Sequence, residues 1–183
     1  MPAAPVGPVF KGWALGNERL VAAIRPLTTE QLALVTGTPP APLWGTVAHL
    51  AGGRVYWLCE IFKEPGKETT PFRDMDVALG GWEDDPSHPR SAAELVEALE
   101  TSWRLVARVL DEWTLDTLGQ EARVVRADGT AVLHTRQSVL YRMLTHDAYH
   151  IGEIALVLGS NGLRGEMPNG PVDLWAGLGR IAS

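Results

Sequence analysis

The sequence predicts an all-α protein, a bundle of long helices carrying one small β-hairpin. Three observations lead there. Apolar residues recur at intervals of three and four along four extended stretches. The prolines fall between those stretches rather than inside them. A single segment, turning at Asp128-Gly129, alternates in the manner of paired strands. With 183 residues, 45% hydrophobic and 21% charged, the chain has ordinary globular composition. It is expected to form one domain over residues 1–183, and a domain of that size buries roughly 70% of the surface its unfolded chain exposes.

The elements follow in order. The first ten residues hold three prolines and read as an extended arm. Trp13, Leu20, Val21 and Ile24 then mark a helix that ends before Pro26. The segment LTTEQL reads as a turn with a short helical piece. Pro39, Pro40 and Pro42 lead into a second long helix from about Pro42 to Lys63, proline being tolerated in a first turn. From about Glu64 to Arg90 the pattern is irregular, with four prolines, three glycines and the acidic cluster Glu83-Asp84-Asp85. A connection this long is a candidate lid, with Trp82 free to cover a pocket. Ser91 and Glu94 form an S-x-x-E capping box for a third helix through Leu95, Val96, Leu99, Trp103, Val106 and Leu110 to about Glu112. Residues 123–134 form the hairpin. Thr135 is the expected N-cap of a fourth helix to about Leu158, closed by Gly159. A short terminal helix is expected near Val172 to Leu178.

Composition also excludes classes of function. The formal charge of −6 and the absence of any Lys/Arg run argue against nucleic acid as a partner. No window is long and apolar enough for a spanning helix, and MPAAPVGPVF lacks the pattern of a secretory signal, so no membrane partner and a cytoplasmic location are expected. With Cys59 the only cysteine, an intrachain disulfide and a cysteine-rich zinc module are both ruled out.

Among five histidines, His146 and His150 lie four residues apart in the fourth helix. That spacing is a rotation of about 400°, which places both rings on one face, one turn apart, where they can share a cation. Steps of three and four residues give the stripe Val139, Met143, His146, His150, Glu153 (or Ile154) and Val157. Being apolar at both ends, the stripe is expected to face the interior with its histidines near the middle. Buried imidazoles need partners, and a shared metal would satisfy one nitrogen of each. His49 is a third candidate. Its own stripe, Gly45, His49, Gly52, Gly53 and Tyr56, has little bulk, which suits either close helix packing or a substrate pocket with Tyr56 at the rim.

The segments TVAHLAGGRVYWL, with His49, and MLTHDAYHIGEIALVLG, with His146 and His150, resemble the DinB-like superfamily, which includes YfiT-type metal-dependent hydrolases. The likeness covers roughly residues 10 to 160. It implies an up-and-down four-helix bundle, commonly a homodimer, and a divalent metal held by three histidines that map to His49, His146 and His150. Zinc and nickel stand ahead of manganese and iron for such a nitrogen-rich site. Related branches transfer groups to or from low-molecular-weight thiols, so the substrate is expected to be a small molecule, either a thiol or a compound that water cleaves.

Three histidines leave a coordination position open, the pattern of catalytic rather than structural zinc. A general base is harder to assign. Glu153 could orient a ligand or accept a proton, though a solvated surface carboxylate is the plainer reading. Asp147 stands where H-E-x-x-H proteases carry their basic glutamate, but it is one methylene shorter and the downstream ligand motif is absent. His88 reads as solvent-facing, His134 as structural, and Cys59 as a buried, inert thiol. Two alternatives to an enzyme remain: a stress-associated, non-catalytic metal- or ligand-binding bundle, and a structural bundle whose histidines are satisfied by hydrogen bonds alone.

Overall fold

The structure, a computed structural model, describes residues 3–37, 40–75, 88–125 and 128–163. It is mostly helical with two small antiparallel strand pairs. The helices are α1 (Lys11–Ile24), the single turn α2 (Thr29–Leu32), α3 (Leu43–Val55), α4 (Ala92–Glu112) and α5 (Arg136–Ser160). Strands β1 (Val35–Thr36) and β2 (Ala41–Pro42) pair just before α3. Strands β3 (Glu121–Val125) and β4 (Ala131–Thr135) form the expected hairpin, with Gly129 at φ 81° in its turn. No helix among the described residues is long and apolar enough to cross a membrane. Trp82, the acidic cluster at 83–85 and the terminal helix expected near 172–178 lie outside the described residues.

Local chemistry explains most boundaries. The Ser91 hydroxyl accepts from the Glu94 amide while the Glu94 carboxylate accepts from the Ser91 amide, so the capping box opens α4 as expected. Thr28 and Gln31 do the same for α2. Thr135 caps α5 by accepting from the Ser138 amide at 3.1 Å. Three expectations shift. The N-terminal arm is partly wound, with a 3₁₀ turn over Gly7–Phe10, and it is pinned where the Val6 amide donates to the Trp113 carbonyl at 2.9 Å. The last turn of α5 runs past Gly159 to Ser160. The left-handed residue that ends it is Gly162 (φ 74°), which lets the Leu163 amide return to the Leu158 carbonyl at 2.8 Å. The helix expected to run unbroken to Lys63 is α-helical only to Val55 and continues as a π-helical stretch over Tyr56–Ile61.

The core is continuous from Leu20 and Ile24 on α1 through Val47, Leu50 and Val55 on α3 and Leu95, Leu99 and Val106 on α4 to Leu140, Ile151 and Ile154 on α5, all at most 2% exposed. At its centre lies a polar knot that none of the apolar stripes announces. Arg54 and Asp147 are each 1% exposed and form an ion pair at 2.7 Å. Three donors converge on Asp147 Oδ2: Arg54 Nε at 3.0 Å, Arg54 Nη2 at 2.7 Å and the Trp13 indole Nε1 at 2.6 Å. Arg54 Nη1 donates to Asn17 Oδ1 at 2.8 Å and lies 3.5 Å from Ser102 Oγ. The guanidinium also sits over the Trp103 ring, 5.5 Å from its centroid. All four long helices therefore contribute to one buried charge pair and its hydrogen bonds.

This knot corrects the expected orientation of α5. Its buried residues are Val139, Leu140, Met143, Asp147, Ile151, Ile154 and Leu158, so Asp147 rather than the histidines faces the centre. His146 and His150 lie on the adjoining flank and are half-buried.

A lone charge left in this core is far more costly than an intact pair. Asp147→Ala or Arg54→Ala is expected to destabilise the protein by about 3–5 kcal/mol. The double replacement Arg54→Met with Asp147→Leu should recover part of that loss. Urea unfolding midpoints of the three variants check both expectations.

Candidate metal centre

Helices α3 and α5 face each other in antiparallel register, and contacts recur one turn apart. His49 meets His150, with ring centroids 5.3 Å apart. One turn on, Gly53 meets His146: a Cβ built at Gly53 would lie 3.4 Å from His146 Cε1. One turn further, Arg142 Cζ sits over the Trp57 ring at 4.8 Å. Each rung pairs a residue four further along α3 and its π-helical continuation with one four earlier on α5, as antiparallel helices require. An α-helix drifts by about 40° over four residues, and the wider π turn works against that drift, keeping Trp57 over α5.

The three histidines converge at the first two rungs. His49 Nε2 and His146 Nε2 are 3.1 Å apart. Centroid separations are 5.0 Å for His49–His146 and 4.5 Å for His146–His150. One ring nitrogen from each residue lies within 4.8 Å of the other two, and all three rings are half-buried. Two nitrogens bound tetrahedrally at about 2.0–2.1 Å to one ion stand about 3.3–3.4 Å apart, close to what His49 and His146 show. A hydrogen bond between those two rings has a similar length, but it accounts for only two of the three nitrogens. The donor set therefore fits a divalent cation.

His150 is oriented from behind. Its Nδ1 lies 2.7 Å from Glu153 Oε2, three residues on, so Nε2 is the nitrogen left to face the cluster. The Tyr149 hydroxyl also donates to Glu153, and holding that proton beside a carboxylate raises the phenol above its ordinary range. Glu153 is only 19% exposed, so it is a partner of His150 and not the solvated surface carboxylate that sequence alone favours. Burial pushes the His146 imidazole down from 6.5 to about 4, with the neighbouring His150, His49, Arg142 and Arg54 adding to the effect. His146 is thus neutral, with a lone pair available, throughout the physiological range.

The remaining candidates separate clearly. Asp147, adjacent to His146 in sequence, is turned into the core and held by Arg54 and Trp13, away from the histidine cluster. Gly45 sits against Pro42, Gly52 is buried within α3, and Tyr56 is half-buried with its ring edge-on to Trp57 at 5.1 Å. The space left by Gly53 is filled by the His146 ring. His88 is exposed, and the His134 ring packs against Trp57 at 5.0 Å. Cys59 is buried, and burial pushes its thiol up to about 11, which keeps it protonated. Arg142 and Trp57 were not singled out as site residues from sequence. The spacing signal was present, since Arg142 lies four residues before His146.

A mainly helical fold with an all-imidazole cluster between two of its helices defines the class: a helical protein whose three histidines could hold a metal ion. The sequence profile of the DinB superfamily matches residues 14–154, and the chain belongs to that superfamily, which is associated with metal binding. The fold is similar to the crystal structure of a DinB-like protein from Bacillus cereus ATCC 10987, with a TM-score of 0.55, 15% identity, and coverage of 84% of this chain and 90% of that one. No curated protein matches the sequence.

The depressed His146 imidazole links pH to stability. Between its folded value near 4 and its ordinary 6.5, the unfolded chain binds more protons than the folded one, so stability rises with pH across that window. The metal-free protein is expected to lose stability as pH falls from 6.5 toward 4, and His146→Asn should flatten that slope. Urea midpoints of both proteins at a series of pH values provide the comparison.

Proposed function

We propose that the chain is a divalent-metal-dependent enzyme in which His49, His146 and His150 hold the ion, acting on a small molecule as a hydrolase or as a low-molecular-weight-thiol-dependent transferase. The observation that carries this reading is the convergence of three ring nitrogens from two helices to within 4.8 Å of one another. In the same reading, residues 1–183 form one domain, the four long helices form the up-and-down bundle implied by the family resemblance, and the protein acts in the cytoplasm as a homodimer. Zinc or nickel best suits three imidazole ligands, with manganese and iron behind them. When bound with a coordination position open, such an ion polarises a carbonyl and favours the ionised form of a water or thiol.

The protein's own groups prepare the site. Glu153 accepts the His150 Nδ1 proton and fixes the tautomer that presents Nε2 inward. Tyr149 steadies Glu153 by donating to it. Buried surroundings keep His146 unprotonated. Gly45, Gly52 and Gly53 are the proposed pocket residues with Tyr56 at the rim, Gly53 acting through the imidazole it admits. Among the described residues Glu153 is the carboxylate placed to take up a proton during a reaction, and it would do so through its contact with His150.

A second reading is favoured by one observation. Asp147 is locked in the core, and Glu153 is already bonded to His150 and Tyr149, so no uncommitted carboxylate stands beside the cluster among the described residues. A non-catalytic metal- or ligand-binding module, associated with stress, would need none.

Purified protein is expected to carry about one zinc or nickel ion per chain. Each of His49→Ala, His146→Ala and His150→Ala should weaken metal affinity by more than about hundredfold, and Glu153→Gln by about 10–100-fold. Elemental analysis with competitive chelator titration measures both. Metal content unchanged in all three histidine variants would refute the site. Turnover of ester, amide or thiol-transfer substrates that chelator abolishes identifies the enzyme, whereas stoichiometric metal without turnover identifies the binding module.

A further inference from the structure

The third rung of the α3–α5 ladder carries a cation that the metal site does not use. Arg25, Arg54 and Arg136 each pair with a carboxylate, at 2.8, 2.7 and 3.4 Å. The Arg142 guanidinium makes no hydrogen bond or ion pair among the described residues, and the residue is exposed. It is nevertheless held in place. Its guanidinium lies over the Trp57 ring at 4.8 Å, and that ring is flanked by Tyr56 at 5.1 Å and His134 at 5.0 Å. A guanidinium held over a ring by its Cζ still carries N–H donors that can match a carboxylate with two parallel hydrogen bonds, and Arg142 is exposed. Arg142 also lies one turn of α5, about 6 Å along the axis, from His146. The chain as a whole carries a charge of −6, so an anion approaching elsewhere meets a repulsive field.

We propose that Arg142, steadied by Trp57, receives a carboxylate of the substrate, and that the substrate is a small carboxylic acid whose reacting group lies about one helical turn from that carboxylate, at the histidine cluster. This rests on reading the histidine cluster as the reacting centre. Arg142 sets which molecules bind and in which direction they lie. The Gly53 rung brings the His146 ring close to α3, since a Cβ there would lie 3.4 Å from His146 Cε1, and Arg142 is the next α5 residue one turn along on that side.

Two thiols of matched length test the proposal: 3-mercaptopropionate, which carries the carboxylate, and 3-mercaptopropan-1-ol, which does not. Both are titrated into ¹⁵N-labelled, zinc-treated protein while the Arg142 Nε–H and Trp57 indole N–H resonances are followed. The carboxylate is expected to bind about five- to tenfold more tightly and to shift Arg142 Nε–H. That preference should shrink as salt is raised, disappear in Arg142→Gln and survive in part in Arg142→Lys. Arg142 is exposed, so these variants are expected to keep the fold. Equal binding of the two probes by the unaltered protein, or a preference undiminished in Arg142→Gln, would overturn the proposal. Repeating the titrations without zinc separates this inference from the one beneath it. A preference of the same size without zinc supports the arginine's role and removes the metal from substrate binding. Stoichiometric zinc with no preference leaves the metal site standing and sinks the role given to Arg142.

Discussion

The buried pair of Arg54 and Asp147 is the constraint on which the rest of the molecule depends. An arginine and an aspartate at 1% exposure are tolerated only when their charges are paired and hydrogen-bonded, and here the groups that do so, converging on Asp147 Oδ2 and the Arg54 guanidinium, come from α1, α3, α4 and α5 together. Apolar packing alone would allow α5 to rotate or slide against α3 at modest cost, since one aliphatic side chain can often replace another. A charged hydrogen-bonded pair allows no such slippage. A rotation that moved Asp147 off Arg54 would leave both charges stranded in the core.

That rigidity reaches the candidate site through sequence adjacency. Asp147 follows His146, and Arg54 follows Gly53, so the pair that locks the two helices sits one residue beyond the rung on which the His146 ring lies against α3. Placing the carboxylate inward turns the imidazole to the flank, where it is covered enough to stay neutral and near enough to reach His49. The division of labour between the two acidic residues near the cluster follows. Asp147 is structural because it faces the centre of the bundle, and Glu153 is the partner of His150 because it lies on the same flank.

Much of this was legible in the sequence, and what was not has identifiable causes. Helix starts could be read where a side chain reaches back to a backbone amide, as at Ser91 and Thr135, because capping chemistry is local. The three histidines could be read because spacing alone brings two of them together and the family resemblance adds the third. The facing of α5 could not. Apolar periodicity marks apolar positions as inward and carries no sign that an aspartate will be matched by an arginine 93 residues earlier. The same blindness made Glu153 look like a surface residue, since its burial depends on where the whole flank comes to rest. The departure from α-helical pitch at Tyr56 left no trace in the apolar pattern, and Arg142 passed unremarked because an exposed arginine on a helix is ordinary until its neighbour is known.

The π-helical stretch has a bearing on how this chain would tolerate insertions and deletions. The stretch carries the C-terminal end of α3 onward with a wider turn, so losing one residue between Tyr56 and Ile61 would re-aim the side chains behind the deletion. His49, Gly53 and Arg54 all precede it and would keep their places. A single-codon loss there would therefore re-aim residues at the end of that helix and leave the imidazole cluster intact, giving evolution a discrete way to alter the surroundings of that centre without rebuilding it.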